Sequence, residues 1–176
     1  MFRTAILAAL STLLFSGSPL AAAGKLDVSS PAFSEGKPIP KMYTRAGDDV
    51  SPPLQWGKVP AGTKSIAVIC DDPDAPKKTW VHWVIFNLPR DTKELPKGVE
   101  KKKTLSSKAK QGKNDMKKIG YNGPYPPKGK AHHYRFKVYA LDKKLPLKAG
   151  ATKKKLLANM KGHILAEGQL IGTFQR

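Results

Sequence analysis

Ile66-Ala67-Val68-Ile69-Cys70-Asp71-Asp72-Pro73-Asp74-Ala75-Pro76, running on to Trp80-Val81-His82-Trp83-Val84, decides the fold. Two apolar segments meet across a proline-constrained turn that carries three carboxylates, and the second segment carries a histidine. Ser65–Cys70 is short, apolar and rich in β-branched residues, which predicts a strand. Trp80–Leu88 is the strongest strand of the chain. Alternation places Trp80, His82, Val84 and Phe86 on one face and Val81, Trp83 and Ile85 on the other. Both faces are largely apolar, so a central strand covered on both sides is expected.

A second stretch completes the constellation. Gly123-Pro124-Tyr125-Pro126-Pro127-Lys128-Gly129 leads into His132-His133-Tyr134. Over His133–Leu141 the pattern alternates. His132, Tyr134, Phe136, Val138 and Ala140 share an inward face, and His133, Arg135 and Lys137 share an outward one. Carboxylates, imidazoles and a phenol therefore sit where apolar strands meet stiff loops. Half-buried polar groups are costly without partners, so these point to a small polar pocket.

Ideal alternation points Asp72 inward with Ile66, Val68 and Cys70, whereas Asp74 fits a capped turn that accepts from nearby backbone N–H groups. The Asp-Pro-Asp-Ala-Pro turn is a place where a cis X-Pro bond is expected at modest cost. A lone histidine on an apolar face is usually a satisfied core residue. The inward His132 at the start of another strand weakens that reading for His82. His133 alternates outward and is left out of the site. If His82 and His132 converge with Asp72, the pocket offers switchable donors beside a carboxylate acceptor.

Outward from this centre, Leu26–Phe33 predicts a first strand, Gly168–Phe174 a closing strand, and Thr152 to about Ile164 a helix. Leu156, Leu157, Met160 and Ile164 recur at helical spacing behind a Thr152 cap. Lys153, Lys154 and Lys155 crowd the positive end of its dipole, so the apolar face must hold it. Lys97–Lys118 is basic and without periodicity, and reads as a long surface excursion. The whole is mainly β, with one or two peripheral helices.

Arg3, the apolar run Ala5–Phe15 and Ala21-Ala22-Ala23 read as a secretory signal over residues 1–23. The run is short of the about 20 apolar residues of a membrane span. Residues 24–176 then form a single exported domain, periplasmic or secreted from a bacterium. Cys70 is the only cysteine. It reads as a buried small hydrophobe rather than a nucleophile.

Lysine and arginine number 32 against 13 acidic residues, a net charge of +19. The positive charge concentrates in Lys97–Lys118 and Lys143–Lys161. A solvated surface is the favoured reading, and attraction to the anionic cell envelope is the alternative. Export argues against a nucleic-acid partner, and no aromatic residue interleaves Lys97–Lys118 as a stacking platform would require.

Together these residues resemble the phosphatidylethanolamine-binding protein family, in its bacterial Raf-kinase-inhibitor-like branch. The matching segments are Ser51-Pro52-Pro53-Leu54 with Trp56, Asp72-Pro73-Asp74-Ala75-Pro76, His82-Trp83 with Asn87, Gly123-Pro124 to Gly129, and His132 with Tyr134. Lys161-Gly162-His163-Ile164-Leu165-Ala166-Glu167 is also similar to bacterial members. The resemblance implies a β-sandwich-like fold with a small anion pocket that takes phosphate, a carboxylate or a phospholipid headgroup. It places Asp72, His82, Pro124, His132 and Tyr134 in the pocket lining, with Asp74, Trp80 and Gly123 flanking. It implies no metal and no cofactor. His133 stands where an arginine commonly follows the pocket histidine, which removes a fixed cation near the mouth. Tyr125 stands where bacterial members often have cysteine, and Asn114-Asp115-Met116-Lys117 lacks the aromatic-glycine pair often seen there.

Three functional classes follow. The first is a non-enzymatic binding protein for a phosphate-type or carboxylate anion. The second is a hydrolase, which would need a metal held by Asp72, His82 and His132 because no Gly-x-Ser-x-Gly elbow is present. The third is a module that meets a protein partner, such as a protease, or the envelope surface through its lysines. Oligomeric state is not legible.

Overall fold

The computed structural model describes residues 23–176, so the expected signal segment lies outside the described residues apart from Ala23. The strands in chain order are β1 (Gly24–Lys25), β2 (Val28–Ser29), β3 (Leu54–Trp56), β4 (Ser65–Asp72), β5 (Trp80–Leu88), β6 (Glu94–Leu95), β7 (Lys110–Gln111), β8 (His132–Leu141) and β9 (Ile164–Phe174). One α-helix, α1 (Lys153–Met160), precedes β9. A six-stranded sheet runs β1-β9-β8-β4-β5-β7, and a three-stranded sheet runs β2-β3-β6.

Every residue of β4 is buried, as the continuous apolar run requires of a central strand. Ile66, Val68 and Cys70 join Leu54, Trp56 and Leu95 of the small sheet in the core between the two sheets. Ala67 and Ile69 face the opposite way, into a second apolar layer closed by Leu156 and Met160 of α1. The large sheet is therefore covered on both faces.

Strand β5 breaks the expected alternation. Cys70 pairs with Trp83 and Asp71 pairs with Val81, so His82 is an extra residue opposite none of β4. Such a bulge turns the side chains that follow it to the other face. Trp83 and Ile85 enter the inter-sheet core, whereas Val81, Val84 and Phe86 pack in the helix-side layer. Trp80 and His82 consequently lie on the side of Trp83, not of Val84. A second bulge falls near Asn87, which has φ 58° and both donates to and accepts from the backbone of Leu145.

Other expectations shift. Of the single strand expected over Leu26–Phe33 only β2, Val28–Ser29, forms; β1 precedes that range and joins the other sheet. The closing strand is longer than Gly168–Phe174, because β9 begins at Ile164. The helix stops at Met160, with Gly162 at φ 76° and the His163 N–H donating to the Met160 carbonyl. Thr152 caps it by accepting from the Lys155 N–H. No cis peptide bond occurs among the described residues, so the Asp-Pro-Asp-Ala-Pro turn is trans throughout.

The basic stretch 97–118 is no loose excursion. Gln111 within it is fully buried. Its Oε1 accepts from Trp83 Nε1 at 2.7 Å, and its Nε2 donates to the carbonyls of Glu100 and Lys102 at 2.6 and 2.8 Å. A side-chain amide stitches this segment down, which leaves no periodic trace in the sequence.

Candidate functional site

The bulge at His82, the end of β4 and the start of β8 meet at one end of the large sheet. There Asp72, Trp80, His82, His132 and Tyr134 line a single cavity of ≈ 190 Å³. Asp72, His82 and His132 are 3%, 7% and 8% exposed, and Tyr134 is fully buried. The edge of His82 meets Tyr134 at 5.2 Å between ring centroids. The two histidines expected to converge from distant strands do so.

Proton positions follow from the acceptors. His132 Nδ1 donates to Asp72 Oδ2 at 2.8 Å, and His82 Nδ1 donates to the Asn122 carbonyl at 2.6 Å. A carboxylate and a carbonyl only accept, so each Nδ1 carries a proton. Each ring then has Nε2 left, as an acceptor when neutral and a donor when protonated. Burial pushes His82 below the ordinary histidine value and outweighs the opposing pull of the Asn122 carbonyl and Asp72. Asp72 has little left to offer a ligand, since its Oδ1 accepts from the Asp74 N–H at 2.8 Å.

The Tyr134 hydroxyl differs from all of these. It is the one buried side-chain polar atom among the described residues without a hydrogen-bond partner. Burial, reinforced by the nearby Asp72 charge, drives its ionisation far above the ordinary phenol range. It stays an O–H donor at any physiological pH.

A loop forms the outer wall through Asn122, Gly123, Tyr125, Pro126 and Pro127. Asp49, itself at φ 56°, braces it by accepting from Gly123 N–H at 2.6 Å and Asn122 Nδ2 at 2.9 Å. Tyr121 Oη donates to the Tyr43 carbonyl and the Arg45 N–H donates to the Pro124 carbonyl. Gly123 is needed for this approach, because a Cβ there would stand 2.4 Å from the Tyr43 carbonyl oxygen.

Of the expected lining residues Pro124 sits off the cavity, and Asp74 lies outside it as a flanking residue. Pro124 turns its carbonyl to Arg45, and the neighbouring Pro126 and Pro127 line the cavity instead. Asp74 lies outside the cavity, where its Oδ2 accepts from both the backbone N–H and Nδ1 of His133 at 2.7 Å. This ties the turn to the start of β8. Arg45, Met116 and Asn122 line the cavity without having been anticipated. Arg45 comes from a segment with no strand or helix signal, which is why nothing marked it.

Asp71 was assigned no role. It is wholly buried on the helix side of β4, where Arg135 Nε approaches at 2.8 Å and Lys137 Nζ at 3.5 Å, and Lys153 Nζ completes the ring. This pairing explains how α1 tolerates a lysine at its N-terminus. Cys70 is buried, and desolvation together with Asp71 and Asp72 raises its thiol well above the ordinary range. No trio of His, Cys, Asp or Glu among the described residues is arranged to hold a metal ion.

The family model for phosphatidylethanolamine-binding protein matches residues 29–175. A UPF0098 protein of Methanothermobacter thermautotrophicus is 47% identical over 151 residues, covering 86% of this chain and 99% of that one. A UPF0098 protein of Aquifex aeolicus is 45% identical, covering 86% and 89%. Among solved structures, E. coli YbcL, described as a new member of the mammalian PEBP family, matches with a TM-score of 0.81 at 32% identity over 87% of this chain and 99% of that one. The Chlamydia trachomatis homologue CT736 matches with a TM-score of 0.79 at 39% identity, covering 88% and 99%. The matches span both sheets and the strand ends that form the cavity, and the chain belongs to the phosphatidylethanolamine-binding protein family.

Proposed function

We propose that this is an exported, non-enzymatic binding protein whose cavity takes a small anion: phosphate, a carboxylate or a phospholipid headgroup. The observation that carries the reading is the Tyr134 hydroxyl, a buried O–H donor without a partner on the wall of a cavity with two imidazoles. An anion oxygen would satisfy it. At ≈ 190 Å³ the cavity is below the roughly 300–1,000 Å³ of drug-sized pockets, which suits a headgroup or inorganic ion. The chemistry of the donors favours binding over hydrolysis. Asp72 is held by His132 and Asp74, so it is poorly placed to activate water or coordinate a metal.

Calorimetric titration with inorganic phosphate, acetate and phosphoethanolamine tests this. At a pH low enough for the ring to gain its second proton and offer Nε2–H, His82→Ala and His132→Ala should each weaken binding about tenfold or more, the loss of a charge-assisted hydrogen bond. Binding unaffected by both changes rejects the site.

A second reading, a module for the anionic envelope surface or an acidic protein, is favoured by one feature. Lys78, Lys113, Lys153 and Lys154 line a groove beside the exposed Leu157, separate from the cavity but reaching its wall at Trp80. Binding to anionic vesicles that weakens steeply with salt and ignores His82→Ala would support it.

A further inference from the structure

Building on the anion-pocket reading, we propose that Arg45 sets the charge preference of the cavity. Placed over the Tyr125 ring, it favours doubly charged, phosphate-type anions over carboxylates.

Four observations support this. Among the described residues Arg45 is the only lysine or arginine lining the cavity. The only lining carboxylate, Asp72, is engaged by His132 and the Asp74 N–H. His82 is held toward its neutral form, so Arg45 is the permanent positive charge of the site.

Secondly, Arg45 is exposed and makes no ion pair among the described residues, although Asp48 and Asp49 follow closely in sequence. Asp49 turns instead to Gly123, Asn122 and Lys101. The guanidinium charge is therefore available to a ligand.

Thirdly, its backbone is anchored beside the cavity. The Arg45 N–H donates to the Pro124 carbonyl at 3.0 Å, and the guanidinium lies 5.0 Å from the Tyr125 ring centroid. A cation–π contact of this kind still leaves guanidinium N–H groups for an oxyanion, which they can grip through two parallel bonds.

Fourthly, the platform is itself anchored. The Arg176 guanidinium lies 3.9 Å from the same ring centroid, and Arg176 Nε donates to the Pro126 carbonyl at 3.0 Å. Tyr125, 42% exposed, thus has a purpose at the rim that a merely exposed aromatic would lack.

The Coulomb energy between a fixed cation and a ligand scales with ligand charge, so a dianion loses twice the energy a monoanion loses when that cation is removed. In fold-change this is a square: if Arg45→Ala weakens acetate about threefold, it weakens phosphate about tenfold.

The test is titration of the full chain with inorganic phosphate and with acetate at pH 7.5, where phosphate is mostly the dianion. Wild type is compared with Arg45→Ala, Arg45→Lys, Tyr125→Leu and His82→Ala. Arg45→Ala should reduce the phosphate-to-acetate preference about threefold, and Arg45→Lys should restore part of it. Tyr125→Leu should give a smaller loss in the same direction. Arg45 is at the surface, so thermal melting of the apo variants should stay near wild type. Equal effects of Arg45→Ala on both anions, or none, overturn the assignment. If His82→Ala still abolishes binding in that case, the anion pocket stands and only Arg45's role falls. Should neither variant alter binding, both readings fall together.

Discussion

Tyr134→Phe removes a single oxygen, and its consequences have opposite signs in the free and loaded protein. In the free protein the hydroxyl is buried, and no protein group among the described residues meets it within hydrogen-bond geometry, although Asp72 lies near enough to raise its ionisation. Leaving a buried polar group unsatisfied costs about 1–3 kcal/mol. Taking the low end, deletion should stabilise the anion-free protein by about 1 kcal/mol, which for a chain of this size raises Tm by roughly 2–4 °C. In the loaded protein the same oxygen would donate to an anion, a bond of about 1.5–3 kcal/mol, so phosphate should bind about ten- to hundredfold more weakly. At a phosphate concentration of about 100 times the wild-type Kd, ligand linkage adds about 2.7 kcal/mol to wild type. It adds only about 1.4 kcal/mol to a variant that binds tenfold more weakly. The variant should therefore melt above wild type without phosphate, and the two should draw level or cross with it. Thermal melting followed by circular dichroism across a phosphate series, with sulfate as a second anion, reads both effects in one experiment. A variant that melts below wild type in anion-free buffer, with unchanged phosphate affinity, would show that the hydroxyl serves the core and not a ligand.

Asp71→Asn leaves Arg135, Lys137 and Lys153 around a neutral amide, and urea unfolding should show a loss of about 3 kcal/mol with anion binding intact. Burial raises the Asp71 carboxyl, but Lys153, Lys137 and Arg135 outweigh it and hold it below 3.8; its stabilisation is thus complete above that value and lost as pH falls through the lower folded value. Acid unfolding of wild type should show this loss below about pH 4, and Asp71→Asn should not. Burial lowers His82 from 6.5, so the unfolded chain takes its proton first and apo stability should fall as pH drops below that value. Sulfate binding should strengthen over the same range, because a protonated ring offers Nε2–H to the anion; His82→Ala should flatten both trends in pH-stepped titration and melting. Gly123→Ala puts a Cβ 2.4 Å from the Tyr43 carbonyl oxygen, and should lower stability by about 1–3 kcal/mol and weaken phosphate binding, measured by urea unfolding and calorimetry.

Much of this molecule is legible along the chain. Ser65–Cys70 and Trp80–Leu88 announce covered strands because both faces must be apolar, and β4 and β5 span those residues, with β4 running on to Asp72. His132 and Tyr134 fall inward by simple alternation in β8, and His133 falls outward. His82 reaches the cavity, but not through the regular alternation that points it inward. Regular alternation puts it with Val84 and Phe86, whereas an extra residue in the ladder turns it toward Tyr134. A bulge is a property of two paired strands, and one strand's pattern carries no mark of it.

Local periodicity and turn chemistry act between near neighbours in sequence, so residue types alone settle the covered strands, the inward His132 and the capped α1. Charge pairing and carbonyl satisfaction act between neighbours in space. The ring of cations on Asp71, the brace that Asp49 gives to the Gly123 loop and the arrival of Arg45 at the cavity each join positions more than 60 residues apart. Those partnerships exist only once the sheets have closed.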